Sequence, residues 1–261
     1  FTLGTEGTVN TDTRTYVAWN WKANGGTTTT NDASSTGVGS IDSVYQANTT
    51  AGFSIVTYTG TGTAGTIAHG LGAVPKMYIV KNRDASSEWR IYNENLGNDK
   101  TVKLHLTAAS ADSGNWSSTT PTSSVFNVAT GNNVNDSSEK YVAYCFAEVE
   151  GYSKINVYTG NGNADGTFVY TGFRPAFIMF KTTTIVSHWT IVDNARSTYN
   201  VVDDSLYADT SAAELTTITD VDFLSNGFKW RGVLANETNV SGQVYIYMAF
   251  AEAPFKYANA R

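Results

Sequence analysis

The stretch Tyr58-Thr59-Gly60-Thr61-Gly62 returns later in the chain as Tyr158-Thr159-Gly160-Asn161-Gly162. The same offset separates three further pairs, which are Pro75 and Pro175, Lys81 and Lys181, and Trp89 and Trp189. Self-similarity at a fixed period is the sequence signature of a repeated structural unit. The chain therefore contains a tandem repeat, and we expect both copies to share one fold.

An aromatic segment recurs three times, and its copies begin at Tyr16, Tyr141 and Tyr245. Shorter apolar runs precede these copies and begin at Phe1, Phe126 and Phe228. Polar turn residues separate each run from its partner segment, which is the pattern of a β-hairpin. Two of these hairpins end the two repeats, so the first is expected to end a third module.

Residues 1–24 are accordingly predicted to be the C-terminal hairpin of a preceding or partner module. We expect four aromatic residues to form this assembly hairpin: Phe1, Tyr16, Trp19 and Trp21. An isolated hairpin is at best marginally stable in water. Its missing strands are expected either in a longer precursor or in another subunit that adds strands to the sheet.

The remaining residues divide into three segments. Residues 25–51 are rich in Thr, Gly and Ser and are predicted to be a linker. Residues 52–150 and 151–261 are predicted to be two modules, each with about seven short apolar runs separated by turn signals. We expect an all-β fold of tandem antiparallel β-sandwiches, jelly-roll-like, with few or no helices.

Composition restricts the classes of function. Charged residues make up 15% of the 261 residues and the net charge is −6, so the chain lacks the basic patches of nucleic-acid-binding proteins. No apolar run reaches the roughly 20 residues that a membrane-spanning helix needs. We expect no nucleic-acid partner, no membrane insertion and no cofactor, and a virion or extracellular location.

Motifs for catalysis are weak. The chain has no Gly-x-Ser-x-Gly elbow and no phosphate-binding glycine loop. A glycosidase needs only two carboxylates, and the candidate pairs are Asp203-Asp204 and Asp220 with Asp222. The first repeat has no clear equivalent of either pair, so we predict that the protein is not an enzyme.

Tryptophans offer two kinds of role. Trp89 and Trp189 occupy equivalent positions and have an isoleucine two residues later, on the same face of the strand, which favours core packing. Trp116 and Trp230 are less symmetric between the copies. Because exposed aromatic rings stack on the apolar faces of sugars, these two are the predicted glycan contacts.

Several segments carry a family resemblance: Tyr16 to Ala23, Gly52 to Gly62, His69 to Lys81, Tyr141 to Tyr152, and Phe255 to Arg261. Together they resemble the repeat domains of tail-fibre-like virion proteins of marine bacteriophages, an uncharacterised family. The resemblance covers most of the chain. It implies a virion fibre, other virion proteins as partners and a homo-oligomer, with a trimer as the first expectation.

We therefore expect a non-enzymatic structural and adhesive component of a phage appendage, such as a tail fibre, that contacts host-surface glycans. Two alternatives remain open. One is a carbohydrate-binding module of a bacterial extracellular surface protein, with a groove lined by exposed aromatic residues. The other is a subunit of a self-assembling extracellular filament, in which the hairpin of one subunit completes the sandwich of the next.

Overall fold

The computed structural model describes residues 2–216, 220–234 and 237–253. These residues form four antiparallel sheets, two short α-helices, α1 (Gly7–Asn10) and α2 (Ala33–Thr36), and two 3-10 helices (Glu94–Leu96 and Gly114–Trp116). The prediction of an all-β chain of antiparallel sandwiches with few helices is confirmed.

The first sandwich consists of an eight-stranded and a two-stranded sheet. The larger sheet contains, in spatial order, β1 (Thr29–Asn31), β2 (Ser43–Asn48), β3 (Phe53–Thr59), β10 (Lys140–Phe146), β5 (Met77–Asn82), β6 (Arg90–Asn93), β7 (Lys100–Lys103) and β8 (Ala111–Asp112). The smaller sheet pairs β4 (Gly65–Ala68) with β9 (Val125–Val128). Buried side chains such as Val56, Tyr78 and Phe126 fill the core between them.

The second sandwich consists of a five-stranded and a three-stranded sheet. The larger contains, in spatial order, β11 (Ser153–Thr159), β18 (Val244–Ala251), β13 (Pro175–Thr182), β14 (Thr190–Asp193) and β15 (Ser205–Tyr207). The smaller contains β12 (Phe168–Tyr170), β17 (Gly227–Trp230) and β16 (Val221–Leu224). Its core includes Ile178, Phe228 and Tyr245.

A third apolar layer joins the two sandwiches, because the eight-stranded and five-stranded sheets also pack against each other. We call this layer the inter-sandwich face. The first sandwich contributes Phe53, Met77, Ile79, Ile91, Val102 and Phe146, and the second contributes Ile155, Phe177, Met179, Trp189, Ile191, Ile246, Met248 and Phe250. The molecule is therefore a stack of four sheets with three apolar cores between them.

Strand β5 shows how the sequence specifies this stack. Met77 and Ile79 face the second sandwich, whereas Tyr78 and Val80 face the core of their own sandwich. Successive side chains of a strand point to opposite faces, so a strand that is buried on both faces has a continuous apolar sequence. This requirement explains the unbroken apolar runs in β5, β13 and β18.

Hydrogen bonds accompany the apolar contact between the sandwiches. The indole Nε1 of Trp189 donates to the carbonyl oxygen of Lys103 over 2.8 Å. The hydroxyl of Ser110 donates to the carbonyl oxygen of Thr183, also over 2.8 Å. Since buried polar groups are costly when left unpaired, these bonds favour one relative position of the two sheets.

The linker predicted for residues 25–51 is wrong over residues 29–48. Strands β1 and β2 extend the eight-stranded sheet at the β3 edge, and α2 lies between them. Ile41 is buried in the first core. Threonine and valine have a high propensity for strands. Buried Ile41 and half-buried Tyr45, which packs against the same core, provide the apolar contact that holds these strands on the sheet. We call residues 29–48 the β1–β2 arm.

Lys181 lies at the edge of the inter-sandwich face and is fully buried. Its ammonium donates to the carbonyl oxygens of Thr107 and Ser187, over 2.9 and 2.6 Å. Burial lowers the pKa of this ammonium to about 8. Its repeat equivalent, Lys81, donates to the carbonyl oxygen of Ala85, within its own sandwich.

We predict that stability rises with pH through this lysine. Its pKa is lower in the folded than in the unfolded chain, so the unfolded state binds more protons between pH 8 and 10.5. The wild type should therefore gain about 2 kcal/mol relative to Lys181→Met between pH 7 and pH 9.5, as measured by urea unfolding.

Lys81→Met is the matched control, since it removes the equivalent lysine and leaves Lys181 in place. It should keep the same gain in stability with pH as the wild type. Identical pH dependence in the wild type and Lys181→Met would contradict the burial of this ammonium.

Candidate functional site

Trp116 was predicted to contact glycans, and the structure places it in the first core. Its indole is fully buried, packs edge-on against Tyr78 at 5.0 Å between ring centroids, and donates from Nε1 to the carbonyl oxygen of Lys100. A buried indole offers no face to a sugar. The prediction for Trp116 is therefore wrong, because its asymmetry between the copies reflects a local 3-10 helix and not a surface position.

Trp230 is also fully buried, in the second core. It packs edge-on against Phe180 at 4.9 Å and lies 5.8 Å from the ring of Tyr158. Trp230 belongs to β17, whose alternation turns Phe228 and Trp230 inward and Lys229 outward. The glycan-contact prediction is wrong for this residue as well.

The assembly hairpin predicted for residues 1–24 is not observed in the described residues 2–24, which contain α1 but no strand. Phe1 lies outside the described residues. Tyr16 is exposed, and its hydroxyl accepts a hydrogen bond from the amide of Thr11, 2.9 Å away. Residues 17–23 alternate between half-buried and exposed positions, as in a strand, but they form no strand ladder.

Trp19 and Trp21 lie at the rim of the inter-sandwich face. Trp21 packs edge-on against three phenylalanines of both sandwiches: Phe146, Phe177 and Phe250. Trp19 donates from Nε1 to Asp193, 3.2 Å away. The aromatic pattern that suggested a hairpin therefore reflects contact with an apolar rim, where side-chain burial replaces ladder hydrogen bonds.

Three of the four carboxylates considered for hydrolysis are engaged in local contacts. The side chains of Asp203 and Asp204 both lie within hydrogen-bonding distance of the Ser197 hydroxyl. Asp222 forms an ion pair with Arg231. These contacts support the loops around β15 and the outer sheet.

His188 and Asp209 form a different cluster. His188 Nδ1 lies 2.9 Å from an Asp209 oxygen, and the ring stacks on Tyr207 with centroids 4.0 Å apart. The Tyr207 hydroxyl donates to Glu237 over 2.7 Å, and burial and then this carboxylate raise the pKa of Tyr207. The other Asp209 oxygen accepts a hydrogen bond from the backbone amide of Trp189. The cluster therefore connects the loop after β15 to the start of β14.

An open groove beside β11 is the strongest candidate site. It has a volume of about 480 Å³ and is lined by Glu148, Glu150, Gly151, Ser153, Lys154, Tyr170, Thr171 and Gly172. Tyr170 is 64% exposed, and Phe168 lies on the same outer face of β12 and is 44% exposed. An exposed ring beside carboxylates, a lysine and a hydroxyl is a combination that binds polar ligands with apolar faces.

Glu148 organises the start of this groove. One carboxylate oxygen accepts the backbone amide of Ile155, 2.8 Å away, and the other pairs with Lys154 at 3.0 Å. Further along the same edge, the amide of Val157 donates to the side-chain oxygen of Asn156, 2.8 Å away. Side chains thus hold two amides of β11. Nothing in the sequence pattern alone distinguished these residues from ordinary turn residues.

Comparisons with known proteins give one match. A family model described as a domain of unknown function (DUF7483) matches residues 1–254 and so runs through both sandwiches. No curated protein and no solved structure matches the chain. In the described part of the chain, no helix is long and apolar enough to cross a bilayer, and no cluster of His, Cys, Asp and Glu has the arrangement of a metal site.

We predict that Trp21 stabilises the joined sandwiches. Trp21→Ala removes ring contacts with phenylalanines of both sandwiches and should lower the free energy of unfolding by about 2–4 kcal/mol in urea titrations. Tyr16→Ala, an exposed aromatic of the same segment, is the control and should leave stability unchanged. Equal effects of the two substitutions would contradict the placement of Trp21.

Proposed function

The chain belongs to the DUF7483 family, a family of domains of unknown function, and from its own residues we propose a structural and adhesive role. It acts as a non-enzymatic component of a phage virion appendage, a tail fibre or a similar fibre. The observation that carries this proposal is the inter-sandwich face, which combines two repeats into one four-layer body.

A fibre must transmit force without bending between its modules. Flexible linkers let neighbouring domains move independently, whereas a large apolar interface holds them in one position. Here Phe146 and Phe250 from different sandwiches approach to 6.4 Å, and Trp21 packs against both. Stacking of this kind supports a stiff rod built from repeated sheets.

The chemistry of the described residues supports a non-enzymatic role. The carboxylates near β15 and β16 and the His188 cluster are bonded to neighbouring groups that hold loops in place. Charged residues make up only 15% of the chain, which suits a virion or extracellular setting. We propose homo-oligomers, a trimer or a filament, that contact other virion proteins and host-surface glycans.

The test is the mass of the purified native assembly, measured by light scattering, with electron micrographs of the same sample. Elongated particles of three or more chains are expected. A compact monomer at every concentration tested would overturn the fibre proposal and favour a binding module instead.

A carbohydrate-binding module is the second candidate function. It is favoured by Tyr170, whose exposed ring stands beside Thr171 and the Glu148–Lys154 ion pair in the open groove. Tyrosine rings pack on the apolar face of a sugar while hydroxyl and charged groups bind its polar edge. For this function the candidate sugar contact is Tyr170, which reaches the surface, instead of the buried Trp116 and Trp230.

We predict that any glycan bound by this protein contacts Tyr170. On a glycan array, Tyr170→Ala should reduce binding at least tenfold, because the stacking ring is lost. Tyr199→Ala is the matched control, since Tyr199 is 84% exposed and does not line the groove. Equal glycan binding by the wild type and both variants would exclude the groove as a glycan site.

A further inference from the structure

The two sandwiches differ at one edge of their large sheets. In the first, β3 pairs with β10 on one side and with β2 of the arm on the other. In the second, the equivalent strand β11 pairs with β18, and the described residues supply no strand on its other side. The connection from β10 to β11 spans residues 147–152, which leaves no room for a second arm.

The outward amides of β11 identify this edge. The amide of Gly160 donates to Gln243, and the carbonyl of Tyr152 accepts from Ala251, so even-numbered residues of β11 face β18. The amides of Ile155 and Val157 therefore point away from the sheet. By the same alternation, the backbone amides of Ile55 and Thr57 in β3 point toward β2 of the arm.

The groove next to this edge is filled in one sandwich and open in the other. Ile67 pairs with Phe126 in the first sandwich, and Val169 pairs with Phe228 in the second, so Ile67 and Val169 are equivalent. Three residues later in each copy, Gly70 is therefore equivalent to Gly172. A Cβ on Gly70 would lie 2.2 Å from the ring of Tyr45, so that ring rests directly on the glycine.

Gly172 lines the groove, and among the described residues no ring presses on its backbone as Tyr45 does on Gly70. A Cβ there would meet the Tyr170 hydroxyl as its nearest neighbour, at 3.6 Å. Both glycines have positive φ angles, 70° and 86°, a conformation that favours glycine in both copies. The second sandwich thus has a glycine where Tyr45 rests in the first, and only the end of its own Tyr170 ring lies at van der Waals distance from that position.

We propose that the β11 edge and the groove at Gly172 form an acceptor site for an extended peptide segment of another polypeptide. The segment binds antiparallel to β11, in the manner of β2 on β3, and places an aromatic ring over Gly172. Main-chain hydrogen bonds to Ile155 and Val157 supply affinity, and the aromatic pocket supplies selectivity.

Side chains of the chain itself occupy the acceptor site when no segment is bound. Glu148 and Asn156 each accept one of the two outward amides, in place of the carbonyl oxygens that a strand would offer. The first sandwich has Val56 at the position of Asn156 and Ala68 at the position of Tyr170. Tyr170 is exposed, and exposed side chains rotate readily, so an incoming ring displaces it at modest cost. The strand's carbonyl oxygens must in addition replace Glu148 and Asn156 on the two amides.

The probe is a fluorescein-labelled synthetic peptide with the sequence of residues 40–49, which contains β2, titrated with the full-length chain and followed by fluorescence anisotropy. The wild type should bind it, and a peptide with Tyr45→Ala should bind at least tenfold more weakly. Hydrogen exchange should show new protection at the amides of Ile155 and Val157, which distinguishes binding at β11 from exchange with the arm at β3.

Two variants test the geometry. Asn156→Val removes the competing side-chain oxygen and should tighten binding about tenfold, the usual effect of one hydrogen bond. Val157→Pro removes an outward amide, which an edge strand tolerates, and should abolish binding. If Val157→Pro fails to fold, Asn156→Val and the Tyr45→Ala peptide still decide the question.

Several results would overturn the proposal. One is the absence of binding by the wild type, including the case in which only Asn156→Val binds, because the natural edge is then closed by its own side chains. Another is binding that is unaffected by Val157→Pro in a folded protein. Tyr170-dependent binding of a glycan without uptake of the peptide would assign the groove to sugar instead. The mass of the native assembly is a separate measurement, so failure of the fibre proposal and failure of this one are distinguishable.

Discussion

The inter-sandwich face is the contact on which the rest of the molecule depends. It requires β5, β13 and β18 to be apolar on both faces, and it places Phe146 of β10 and Phe250 of β18 in one apolar layer. Burial of each large apolar side chain contributes about 1.5–3 kcal/mol to the free energy of folding. Separation of the two sandwiches would lose this contribution and would expose a large contiguous apolar patch, which monomeric proteins rarely have. The face also provides the rim that receives Trp21 of the N-terminal segment.

Much of the fold could be predicted from the sequence, because the repeat and the apolar runs report local burial. One such run opens strand β5 (Met77–Asn82), and its continuous apolar character reflects two buried faces. Composition was misleading for residues 25–51, where a single buried isoleucine and the tyrosine over Gly70 are enough to order a Thr- and Ser-rich arm. The alternating pattern around Trp19 and Trp21 predicted a hairpin. In the structure this pattern reflects the packing of every second side chain against the rim of the inter-sandwich face.

The candidate site could not be predicted from the sequence, for physical reasons that are specific to its residues. Glu148 and Asn156 act through the direction of two backbone amides, which depends on the register of β11 against β18. Tyr170 is exposed because none of the described residues forms an arm over the second sandwich. That difference follows from the short connection between β10 and β11 rather than from a motif. Divergence between two copies of one fold therefore identifies this edge more clearly than any single residue does.

The most direct test of the shared apolar face is differential scanning calorimetry of the full-length chain. One cooperative unit should give a single transition whose calorimetric enthalpy equals its van't Hoff enthalpy. Two transitions, or a calorimetric enthalpy about twice the van't Hoff value, would show sandwiches that unfold independently and would contradict the account.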